Sequence, residues 1–293
     1  MTAAAVDAGG TRRRFIAPPR GAVAADVFAQ PLFAGVSRYA DLMTAADWPT
    51  VAALDARLAV PGRQLVEQDE ALLADGLHYE QRIAQGRIAT RAENWHDLFN
   101  ALVWARHPAI KKALNARQCL HIGCHGPRQR NRAQAALTQF DETGVIVRVH
   151  DPAMVQAWDR HDWAAMFVDG AGRWRSGEIA VAAVIGHALM EQALLPGRLL
   201  VGKCVVVCAD EDACAVAQVA QMIESGCILD DPLELRPLPL AGIPGWHRRQ
   251  DAAFYRQADY FRPLRDGRCY PAPHAARRTP PAAHDAGDTH TAG

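Results

Sequence analysis

The stretch TRAENWHDLFNALVW, Thr90–Trp104, places Arg91, Asn94, His96 and Asp97 close together among large apolar residues. Imidazole beside carboxylate and guanidinium suits general acid–base work on an anionic or ester-like substrate. In that reading His96 is the base or a metal ligand, Asp97 its orienter and Arg91 an anion clamp. The competing reading is structural: Asp97 accepts N–H bonds near a helix start and His96 caps a neighbouring loop. Buried polar groups cost roughly 1–3 kcal/mol each unless paired, so either way these side chains need partners.

Other segments offer chemistry of the same kind. Leu77–Ile83 alternates as a half-buried strand does, which puts His78, Glu80 and Arg82 on one face. That face is either solvated or a polar wall of a cleft. His187 and Glu191 are four residues apart and share a helix face, a spacing that suits two metal ligands and an ordinary intrahelical pair equally well. With Asp141 they are the candidate ligands for a divalent metal. They are not a zincin motif, which needs a glutamate at Ala188 and a second histidine at Glu191. Asp141 and Glu142 precede Gly144, and a turn or cap role competes with any chemistry there. Cys119, His121, Cys124 and His125 are too crowded for the familiar zinc spacing without help from His150 or His161.

The elements that must position these residues follow from periodicity and capping. Thr90 with Glu93 fits a capping box, so the spacing predicts a helix over Thr90–Arg106, apolar nearly all round and therefore buried. Helices are also expected at Ala22–Gln30, Trp48–Leu58, Pro108–Ala116, Arg130–Gln139, Gly186–Leu195 and Asp212–Glu224. Strands are expected at Gly144–Val149, Ile179–Ile185 and Cys204–Ala209. The pattern is a mixed α/β fold, helix-rich with a small sheet, in a single domain over about 21–270. The tails 1–20 and 271–293 lack periodicity and are expected to be disordered.

Four segments carry a resemblance: His78–Asn115 with its NWHDLFNALVW run, LTQFDETG at Leu137–Gly144, GHALMEQALLPG at Gly186–Gly197, and Pro237–Pro263. In this order they resemble the bacterial family known as domain of unknown function 3025. The resemblance implies no activity. The chain departs from the family at His107, where relatives usually carry Phe before the proline, and at Asn131–Ala133, where they tend to have Arg-Asp-Ala.

Composition narrows the function classes. Thirty-two basic residues balance 32 acidic ones, so no global positive field favours nucleic acid. The clusters Arg12–Arg14, Arg128/Arg130/Arg132 and Arg248/Arg249 read as solvated surface. Seven unevenly placed cysteines are no disulfide framework, and no apolar run has the length of a membrane span or signal peptide, so a cytoplasmic location is expected. None of the three serines sits in a G-x-S-x-G elbow, and neither a P-loop nor a G-x-G-x-x-G fingerprint is present. What remains is a hydrolase-like enzyme, metal-assisted or not. The alternative is a non-catalytic protein offering the aromatics and arginines of Gly242–Pro263 to a protein partner.

Overall fold

The computed structural model describes residues 15–127 and 129–275. The tails beyond these limits, Arg12–Arg14 included, and Arg128 lie outside the described residues. The described flanks are tied to the domain. The Trp95 indole donates to the Pro18 carbonyl, and His274–Ala275 pair in parallel with a central strand.

The fold is mixed α/β, with helices outnumbering strands around one continuous hydrophobic core that runs from Phe28 to Phe261. Its helices of use here are α1 (Val51–Leu58), α2 (Tyr79–Ala84), α3 (Trp95–Arg106), α4 (Pro108–His125), α5 (Arg132–Thr143), α6 (His187–Ala193) and α7 (Asp212–Glu224). The strands are β1 (Gln64–Glu67), β2 (Arg87–Thr90), β3 (Gly144–Val149), β4 (Ile179–Val184), β5 (Val201–Cys208), β6 (Arg236–Pro239) and β7 (His274–Ala275). β1 and β2 form a small parallel pair. The main sheet runs β4-β3-β5-β6, with β7 also on β5. β3 lies antiparallel to β4 and parallel to β5, in register from Gly144 opposite Lys203 to Val149 opposite Cys208. GVIVRV is almost entirely buried, as a strand covered on both faces must be.

Several boundaries move, each for a physical reason. Thr90 closes β2, its hydroxyl donating to the Ile88 carbonyl, and Glu93 sits in a left-handed turn. The true cap of α3 is Asn94, whose Oδ1 accepts from the Asp97 N–H. Pairing of β2 with β1 takes Thr90, which the capping box would have used. Leu77–Ile83 is not a strand: His78 caps α2 by accepting from the Glu80 N–H, and Gln81 reaches back to the His78 N–H. His78, Glu80 and Arg82 therefore fan out around a helix instead of sharing one face. Ala25–Ala29 and Pro31–Tyr39 are 3₁₀ turns, Pro31 opening the second. Pro49 lies before the cap Thr50 rather than inside α1. Helix α4 runs on to His125, well past Ala116.

Candidate metal centre

α6 packs against both α3 and α5, and Gly186 allows the approach to α5. A Cβ on Gly186 would stand 2.6 Å from the Thr143 Cα and 2.8 Å from the Glu142 carbonyl. The Gly186 N–H also donates to the Gly144 carbonyl at 2.9 Å. The start of α6 is thus pressed onto the end of α5, which brings His187 to Glu142. α3 packs on α6 and contributes His96.

The result is a cluster drawn from three separate elements. His96 Nε2 and His187 Nε2 stand 3.1 Å apart, and Glu142 Oε1 is 3.9 Å from His187 Nε2. One ligating atom from each residue lies within 4.8 Å of the other two. Two imidazole nitrogens bound to one ion at about 2.1 Å, with angles of roughly 90–110°, stand about 3.0–3.4 Å from each other. The observed spacing falls in that range. Behind the cluster, His96 Nδ1 meets Glu191 Oε2 at 3.0 Å. A carboxylate on the far nitrogen fixes the tautomer and leaves Nε2 as a lone-pair donor, the usual support for a metal-bound histidine. His187 is 3% exposed, and its Nδ1 makes no well-formed hydrogen bond, the Asp141 backbone giving the ring only partial support.

Electrostatics sets the two histidines apart. Burial pushes His96 down, but the Glu191 hydrogen bond and the charges of Glu142, Glu191 and Asp97 outweigh it, so its pKa stands above the usual value. Burial, with Lys111 and His96 nearby, drives His187 well below its usual value and keeps it neutral. Burial raises the Glu142 carboxyl, while His96 pulls the other way.

The cluster forms one end of a cleft of about 580 Å³ that also reaches His78, Glu80, Arg91 and Asp97. His78, the α3 residues and His187, far apart in the chain, therefore border one space. Their partners differ from the sequence expectation. Asp97 does not orient His96: it accepts from Nε and Nη2 of Arg91, at 3.0 and 2.8 Å, and from the Arg91 backbone N–H at 2.6 Å. Arg91 is accordingly already paired, and Asn94 acts as a helix cap. Asp141 is paired with buried Lys111 at 2.5 Å, and its neighbour Glu142 is the one facing the histidines. Glu80 accepts from Asn115 at 2.7 Å, and burial in the cleft pushes its carboxyl up to about 7, with Asn115 opposing. Arg82 turns away onto Asp75.

Sequence reasoning missed Glu142 as a ligand and, in the cleft wall, Tyr79, Asn100 and Trp104. The available signal for the wall was helical spacing, since His96, Asn100 and Trp104 recur at every fourth residue of α3. The Cys119–His125 group stays apart: His121 bonds Asn131, and Cys119 donates to the Glu80 carbonyl. His150 and His161 engage Arg148 and Tyr270 instead.

A family model described as a protein of unknown function (DUF3025) matches residues 63–265. The chain belongs to this family. The matched span holds His96, Glu142, His187 and Glu191, so the DUF3025 region carries the whole cluster. No curated protein and no solved structure was found to match the chain. Among the described residues no helix is long and apolar enough to cross a membrane.

Proposed function

We propose that this chain is a metal-dependent hydrolase whose divalent ion is held by His96, His187 and Glu142. The observation that carries the reading is the convergence of two Nε2 atoms and a carboxylate from three elements, with Glu191 behind His96. Two histidines and one glutamate is a donor set of catalytic zinc sites, which keep a position open for water or substrate. An ion so held supplies Lewis acidity, polarising a carbonyl and acidifying water. The protein's own part is to aim an Nε2 atom of each imidazole inward, to keep buried His187 neutral, and to keep proton-transfer groups in the cleft. Glu80, poised at about 7, suits an acid–base role at neutral pH.

The aromatic segment Gly242–Pro263 gives the protein-partner alternative little support. Phe254, Tyr260 and Phe261 are buried, and the Tyr260 hydroxyl donates to the Leu200 carbonyl. These rings are spent on the chain's own core.

The test is metal analysis of the wild type, loaded with zinc, manganese or ferrous iron without chelators, beside the His96→Ala/His187→Ala variant. Near one equivalent in the wild type and none in a folded variant supports the centre. A wild type that takes up no ion overturns it.

A further inference from the structure

The cleft continues along α3 beyond the metal cluster, and two buried side chains there each leave one polar atom without a partner among the described residues. His96, Asn100 and Trp104 are four residues apart, so they form one stripe with a step of about 6 Å per pair along the helix axis. Asn100 is 7% exposed and Trp104 1% exposed, and both border the cleft. The Asn100 amide donates to the Tyr79 hydroxyl at 2.9 Å, leaving its Oδ1 without a hydrogen bond among the described residues. The Trp104 indole N–H likewise meets no acceptor among them. A ligand that reached both atoms would need one acceptor and one donor.

The charges in the cleft select which ligand. Arg91 is neutralised by Asp97 and Lys111 by Asp141. Lys111, 5.5 Å from the Trp104 ring centre, therefore brings no free positive charge. Glu80, Glu142 and Glu191 have no ion pair with lysine or arginine among the described residues. Arg130 also borders the cleft and its charge opposes that of Glu80, so what favours a neutral group beside the stripe is that Lys111, next to Trp104, is already paired with Asp141.

We propose that the Asn100–Trp104 stripe is a subsite for a neutral amide, so that the substrate is a peptide-like or otherwise amide-bearing chain running along α3 from the metal. The Trp104 N–H donates to the ligand carbonyl, and the ligand N–H donates to Asn100 Oδ1. The reacting bond lies one helical turn or more away at His96, and only that part rests on the hydrolase reading.

The test uses full-length ¹⁵N-labelled protein, with and without zinc, and follows the Trp104 indole N–H signal. That signal is assigned by its loss in Trp104→Phe and by its through-space contact with Asn100 in the wild type. N-acetylglycinamide should shift it saturably, and N-acetylglycine and inorganic phosphate should need at least about tenfold higher concentration. The amide response should vanish in Asn100→Leu. An indole silent to the amide, or moved equally by N-acetylglycine, overturns the subsite, and the wild-type titration decides this without any variant. Amide binding in a protein that takes no zinc leaves the subsite standing and sinks the metal reading. Zinc uptake with a silent indole does the reverse.

Discussion

His187 Nε2 faces His96 Nε2 at 3.1 Å, although 91 residues separate the two in the chain. Glu191 accepts the proton on His96 Nδ1, so a neutral His96 has only a lone pair to offer across that gap. His187 answers with an N–H only in its Nε2-protonated tautomer; with the proton on Nδ1, toward the Asp141 backbone, it too offers a lone pair. An ion between the rings satisfies both lone pairs at once, and each prediction about the site follows from who holds these rings in place.

Glu191 is the first of them. Glu191→Gln keeps the shape of the side chain but removes the charge that fixes the His96 tautomer. Metal affinity is expected to fall about 10–100-fold, as for other supporting carboxylates, with the fold intact. Competition with a fluorescent zinc chelator measures it, and an unchanged affinity would remove Glu191 from the site.

Gly186 is the second. A methyl group there collides with backbone rather than with a flexible side-chain tip, because the nearest atoms are the Thr143 Cα and the Glu142 carbonyl. Gly186→Ala must push α6 away from α5 and so part His187 from Glu142. Metal affinity should drop more than tenfold, with overpacking costing about 1–3 kcal/mol of stability. A variant that binds metal like the wild type would show that the contact does not set the ligand spacing.

The sequence displays some of this and hides the rest for identifiable reasons. The β3 run Gly144–Val149 and the α7 run Asp212–Glu224 are legible to the residue, because a continuous apolar strand and an amphipathic helix are each set by their own pattern. His96, His187 and Glu191 are legible as candidates because polar residues on otherwise apolar helices must find partners. Glu142 is not legible: adjacent Asp141 and Glu142 look alike in the chain, and only the packing of α4 and α6 sends one to Lys111 and the other to His187. The α2 helix is hidden because its cap is a histidine, outside the usual Ser, Thr, Asp and Asn.

Lys111 and Asp141 test the charge balance of the cleft wall. Lys111 is 3% exposed, and removing it leaves the Asp141 carboxylate unpaired beside Glu142. Lys111→Met is expected to cost about 1–3 kcal/mol, since Asp141 keeps some contact with solvent, and adding Asp141→Asn should restore much of the loss, because the cost lies in the stranded charge. Urea unfolding of both single variants and the double variant measures the coupling. Additive losses would contradict it.

His107 gives the protein a dependence on acid. It is 7% exposed between α3 and α4, and burial, helped by the Arg106 charge, lowers its pKa to about 4. In the unfolded chain the same group titrates near 6.5. Between these values the unfolded state binds the proton and the folded state does not, so stability falls as pH drops from about 6.5 to about 4 and changes no further below. The full loss from this one group is about 3 kcal/mol. His107→Phe removes it, and the buried site between the helices can take the ring. Urea unfolding at pH 7.5 and pH 4.5 should therefore show a smaller acid loss in the variant, by about 2–3 kcal/mol. Equal losses in the two proteins would mean that His107 becomes protonated within the folded state and that its surroundings are wetter than the packing indicates.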